Sequence, residues 1–169
     1  MDNQIISTIG ITEPVTLDEV KNYLRITNTR DDVYINSIIP NARIRAERYL
    51  NSDIVSKQRR EYFACISEPI NLRYSPITSV DLVVIDGVTM TVDTDYTVEG
   101  LDNPLFKLEQ SSADKVTITY TTAGLDSSLV KPGILALVCE LYHSRGEKLT
   151  TNWRSFLSPF KVFGYYGVR

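Results

Sequence analysis

The chain has 169 residues, of which 43% are hydrophobic and 23% charged, with a formal net charge of −3. That is enough apolar material for one sound core or two small ones, and it excludes an intrinsically disordered chain. The acidic balance argues against a surface that grips nucleic acid over its whole extent, and no apolar run approaches the ~20 residues of a membrane-spanning helix, so no membrane association is expected.

The opening "MDNQIISTIG" has an acid and no basic segment, so it is not expected to be a secretory leader. The first helix signal follows in "VTLDEVKNYLRI". Thr16 is its N-cap and Glu19, three positions on, completes a capping box in which each side chain satisfies a backbone amide of the other. Val15 and Val20 are placed to staple the entry, and Leu17, Val20 and Tyr23 or Leu24 share a face at the helical period. A second helix is expected after a cap at Asn28 or Thr29, with Asp31 and Asp32 in its first turn. Its apolar stripe is Ile35, Ile39, Ala42, Ala46 and Leu50, with Arg43, Glu47 and Arg48 largely off it. Pro40 should kink this helix without ending it, because the apolar period continues past it.

From about Lys57 the period changes from helical to alternating. "EYFACI", "SVDLVVI", "VTMTV", "YTVEG", "LFKLEQ" and "KVTITYT" are rich in β-branched and aromatic residues and are expected to form an antiparallel block of about five or six strands. Asp86-Gly87 is a two-residue hairpin turn of the type I′ kind. After the loop "TTAGLDSSLVKPG", a last long helix is expected with Pro132 in its first turn, with Ile134, Leu135, Val138, Leu141 and Tyr142 in register and Gly146 as its C-cap. A short helix over Thr151 to Leu157 and an extended end complete the chain. The expected organisation is an α+β fold. Residues 1–56 form an N-terminal helical part, 57–124 an inserted β block, 125–146 a helix packing with the N-terminal pair into a small bundle, and 147–169 a basic aromatic tail.

Catalytic signatures are sparse. His143 stands alone on the last helix, Cys65 and Cys139 are far apart and read as buried thiols, and "DTD" at Asp93 to Asp95 lacks the remaining ligands of a calcium loop. No catalytic, cofactor-binding or metal-binding residues are therefore assigned, and no cofactor is expected. The charge is uneven: residues 57–124 hold 6 Lys and Arg against 10 Asp and Glu, whereas residues 125–169 hold 6 against 3. The tail combines bases with aromatics, and Trp153, Arg154, Phe156, Phe160, Lys161 and Tyr165 are the candidate partner-binding residues. The same composition also fits stacking on single-stranded nucleic acid, or simple packing of the aromatics on the domain.

Taken in order, "VTLDEVKNYLRIT", "DDVYINSIIPNARIRAERYL", "SPITSVDLVVIDG", "DYTVEG", "VTITYTTAG", "VKPGILALVCELYHSRGE" and "FLSPFKV" resemble the segments of the head–tail connector (adaptor, or head-completion) proteins of tailed bacteriophages, in the longer form with a β insertion. The resemblance implies a structural protein rather than an enzyme. It implies a homo-oligomeric ring of roughly twelve copies, closed by head-to-tail contacts. The ring would dock on a portal protein and offer a surface to a stopper or tail-completion protein, with DNA passing through the channel without sequence-specific binding. The implied location is the head–tail interface of a virion, with the host cytoplasm as the place of assembly. Two readings from other classes compete: a small metal-dependent enzyme of a mobile element, and a nucleic-acid-binding module using the basic tail.

Overall fold

The computed structural model describes residues 2–8, 12–67, 69–74, 76–100, 105–109, 112–145 and 152–162, without the side chains of 2–4, 7 and 8. The fold is α+β, with four α-helices and eight strands among the described residues, the strands lying in antiparallel sheets of five and three. The chain divides into two compact units: a sheet unit built from Val55–Gly124 together with the N-terminal strand, and a helical unit built from Thr12–Ile54 and Leu125–Val162.

In the helical unit, α1 spans Leu17–Leu24, α2 Asp32–Leu50, α3 Ser127–Ser144 and α4 Asn152–Leu157. The capping box forms as read: Thr16 Oγ1 accepts the Glu19 N–H at 3.3 Å and Glu19 Oε2 accepts the Thr16 N–H at 3.0 Å. Val15 and Val20 are both buried, and Leu24 rather than Tyr23 faces inward. The second helix begins later than expected, with Asp31 at its N-cap position. Asn28 instead accepts the Arg30 N–H in the preceding turn. It then runs unbroken through Pro40, and the expected stripe of Ile35, Ile39, Ala42, Ala46 and Leu50 is buried.

Arg43 and Glu47 depart from the expectation that they lie off the stripe, for both are buried. Arg43 Nη1 donates to Glu47 at 3.2 Å and its Nε to Glu13 at 2.9 Å, while Glu47 Oε1 also accepts the Ile54 N–H at 3.0 Å. A charge so placed is tolerated because its partners and hydrogen bonds come with it.

The last long helix starts five residues before Pro132, at Ser127. Asp126 is its N-cap, accepting the Ser128 N–H at 2.8 Å, so Pro132 lies inside α3 rather than in its first turn. Arg145 ends it in the left-handed conformation, and Gly146 lies outside the described residues. Ile134, Leu137 and Val138 are fully buried, whereas Leu135, Leu141 and Tyr142 are half-buried against the same core. Tyr34 Oη donates to the Leu141 carbonyl and Tyr142 Oη to Asp31, which tie α2 to α3 at both aromatic positions.

In the sheet unit, β1 (Asp2–Thr8) pairs antiparallel with β2 (Lys57–Ile66). The remaining strands are β3 (Ile70–Asn71), β4 (Ile77–Ile85), β5 (Val88–Thr89), β6 (Tyr96–Glu99), β7 (Leu105–Leu108) and β8 (Ala113–Thr122). The five-stranded sheet has the order β1-β2-β8-β4-β5 and the smaller one β3-β7-β6. The ten-residue β8 is central, which suits its β-branched sequence, and Val116, Ile118 and Tyr120 are fully buried. Asp86 and Gly87 both have positive φ between the paired residues Ile85 and Val88, the geometry of a type I′ turn. The Tyr120 hydroxyl donates to Glu61 at 2.6 Å, and burial followed by that carboxylate pushes the phenol far above its ordinary range. Cys65 is exposed and Cys139 half-buried, and neither is in a disulfide. This corrects the reading of both as buried, since Cys65 falls on the outward side of a strand where the in–out alternation slips.

Candidate functional site

The short α4 is held by a glycine on its neighbour. A Cβ built at Gly133 of α3 would lie 2.5 Å from Leu157 Cγ and Cδ2, so only glycine admits Leu157 at this depth. Burying Leu157 also brings Trp153, one turn earlier, into the core at 5% exposure. Trp153 meets Tyr49 of α2 edge-on, with ring centroids 5.3 Å apart. The residues between them, Arg154 to Phe156, are thereby turned outward, and Phe156 is 52% exposed.

Two bases converge on those two rings. The Arg154 guanidinium lies 5.4 Å from the Tyr49 centroid and 5.3 Å from that of Trp153, and Lys161 Nζ lies 4.8 Å from Tyr49. These are cation–π distances. After α4 a 3-10 turn over Ser158–Phe160 brings the chain back to the end of α2. There the Val162 N–H donates to the Leu50 carbonyl at 2.8 Å, and Asn51 Nδ2 donates to the Val162 carbonyl at 3.2 Å. Phe160 is half-buried against the helical core.

An open groove of about 480 Å³ results, lined by Arg45, Arg48, Tyr49, Trp153 and Arg154. Among the described residues none of Arg45, Arg48 and Arg154 has an ion-pair partner. Four other bases of the unit contrast with them: Lys21 pairs with Asp32, Lys131 with Glu19, Arg145 with Asp31, and Arg43 with Glu13 and Glu47, whereas Arg25 and Arg30, like the three in the groove, have no ion-pair partner among the described residues.

Of the residues singled out in the sequence, Trp153, Arg154, Phe160 and Lys161 gather around Tyr49 or the adjoining core, Phe156 stands exposed beside them, and Tyr165 lies outside the described residues. Trp153 is an internal support here, holding α4 in place. Sequence reasoning did not include Arg45, Arg48 and Tyr49. Their signal was available in "RIRAERYL", where two bases three apart share the polar face of a helix next to an aromatic.

His143 is exposed on α3 with its ring edge-on to Tyr142, centroids 5.4 Å apart. Among the described residues no group of three or more His, Cys, Asp or Glu side chains is placed to hold a metal ion. The arrangement offers fixed cations and aromatic faces, which suits recognition of an anionic surface.

Residues 14–90 match the family of phage gp6-like head-tail connector proteins. No curated protein matches the chain. Solved structures with the same fold include a chain from the neck of an empty GTA particle computed with C6 symmetry, at a TM-score of 0.76 and 13% identity over 100% of both chains. A chain from the virion of the native gene transfer agent (GTA) particle aligns at a TM-score of 0.73 and 14% identity over 99% of both, and one from the neck of the native particle computed with C12 symmetry at 0.69 and 12% over 100% of both. The match over residues 14–90 bears out the resemblance to head–tail connector proteins and supports a structural connector role.

Proposed function

We propose that this protein is a structural head–tail connector subunit of a phage-like particle, forming a ring below the portal and presenting a docking surface to the next head-completion or tail protein. The observation that carries the reading is the conjunction of a connector-family match over residues 14–90 with a fold shared, end to end, with chains of particle necks. Those necks were computed with C6 and C12 symmetry, which supports a ring of six-fold or twelve-fold order for this chain also. Its work is burial of interfaces and not bond chemistry, with DNA passing through the channel unread. The protein acts in the virion after assembling in the host cytoplasm.

Within this reading Phe156, Arg154, Lys161, Phe160 and Tyr165 form the partner-binding segment, and Trp153 sets the angle at which it is presented. Aromatic side chains, with Phe156 the exposed one, supply contact area, and the bases steer encounter with an acidic neighbour. Particles made without the protein are expected to be DNA-filled heads lacking tails, and electron microscopy of complete particles is expected to place a closed ring of it at the head–tail junction. One or two copies there, or none, would sink the proposal.

A further inference from the structure

Like charges held together repel, and a fold that gathers them without counterions keeps them for something else. The helical unit pairs Lys21, Arg43, Lys131 and Arg145 with its own carboxylates. Arg45, Arg48 and Arg154 line the open groove without such a partner among the described residues. Arg154 is also restrained, because swinging away would cost its stacking on both Tyr49 and Trp153. Planar guanidinium forks fixed beside aromatic faces suit carboxylates carried on an apolar surface.

The chain carries such a surface. At one end of the five-stranded sheet an open recess of about 390 Å³ is lined by Ile85, Val88 and Met90, with Asp86 and Asp114 on its rim. Both aspartates are exposed, and Cys65 lies opposite Asp114 in the β2–β8 register. Lys115 adjoins them, yet residues 57–124 as a whole hold 10 acids against 6 bases. The geometry points to a head-to-tail contact between copies, in which the Arg45, Arg48 and Arg154 groove of one copy receives the Asp86 and Asp114 rim of the next. The contact joins two different patches of one chain, which is what closing a ring requires. The inference rests on the ring assembly proposed above and names the surfaces that build it.

The test is a charge swap in particles whose only source of this protein is a supplied variant. Arg48→Glu with Arg154→Glu, and separately Asp86→Lys with Asp114→Lys, are each expected to lower the yield of tailed particles about tenfold or more. Thermal midpoints of the purified variants should fall by no more than the loss of the Arg154 stacking accounts for, which separates lost contact from lost fold. All four substitutions in one chain are expected to restore the yield.

A short bismaleimide added to particles carrying Arg48→Cys should join that position to Cys65 of the adjacent copy. The product is a ladder of covalent multimers that Cys65→Ser abolishes. Normal yield after reversing the groove overturns the inference, as does an absent ladder. Failure of the fourfold swap to restore yield overturns it too. If the groove variant has in addition lost oligonucleotide binding that the parent shows, the occupant is nucleic acid. A ring at the junction in any of these cases leaves the connector reading standing, whereas wild-type particles with no ring remove that reading itself.

Discussion

At the scale of single residues, Gly133 is a position where even one added methyl group meets a packed side chain. Gly133→Ala puts a methyl group 2.5 Å from Leu157, within a packed contact of two helices. Such overpacking costs about 1–3 kcal/mol, seen as a lower thermal midpoint, and Leu157→Ala in the same chain should relieve the clash while adding a cavity cost of its own. If Gly133→Ala melts with the parent, α4 is not seated as described.

The ionisable residues set a second expectation. Glu19 is held below the ordinary carboxylate range by its hydrogen bond from Lys131 and by the Thr16 amide, and Asp126 by the Ser128 amide. For Asp81 burial opposes ionisation, but hydrogen bonds from Ser79, Thr121 and Gln58 outweigh it and lower the value. A carboxylate whose folded value lies below its unfolded one stabilises fully above the unfolded value, near pH 4, and loses that contribution as pH falls through the folded value. Stability should therefore be level across neutral pH and drop in acid below about pH 4, more steeply in the parent than in Asp81→Asn. Equal acid limbs in denaturant titrations would show that Asp81 is not held in this way.

At the scale of elements, the end of the described chain divides into parts with different roles. Phe160 packs on the helical core and Val162 is bonded to Leu50 and Asn51 at the end of α2. A chain cut after Val162 keeps every one of these contacts and is expected to keep the helical unit folded. A chain cut before Phe160 loses a half-buried aromatic and two backbone-anchoring hydrogen bonds, so it is expected to be about 2–4 kcal/mol less stable. Equal midpoints for the two truncations would mean that residues 160–162 do not hold α2. The sequence predicts a short helix ending at Leu157 and an extended end after it, with no attachment to α2. The attachment is not legible there because the bonds to Leu50 and Asn51 span more than a hundred residues, and both use the Val162 backbone, which carries no sequence signal.

At the scale of the whole molecule, the connector reading makes the protein's function a property of assembled copies. An interface that is weak between two free subunits becomes strong when many copies share one template. His143→Ala is accordingly expected to leave tailed-particle yield unchanged, because the imidazole is exposed and its aromatic contact is edge-on with Tyr142. A folded His143→Ala protein that no longer supports particles would argue for chemistry at that histidine.

Local grammar by itself determined much of this protein. The Thr16–Glu19 capping box, the Asp86-Gly87 turn, the α2 stripe and the change from helical to alternating period at Lys57 are all decided within a few residues. Backbone amides, left-handed φ values and side-chain periodicity act over that range. Their order along the chain was also sufficient for the resemblance to head–tail connectors. Tertiary structure decided what depends on distant partners. Glu13 makes a buried position acceptable for Arg43, Gly133 admits Leu157 and so sets Trp153 against Tyr49, and β1 acquires a partner in β2 from beyond two helices. The basic groove belongs to this second kind. Arg45 and Arg48 read as an ordinary solvated helix face until α4 folds back beside them, since the energy of a cation depends on which charges and rings lie within a few ångströms and not on its neighbours in sequence.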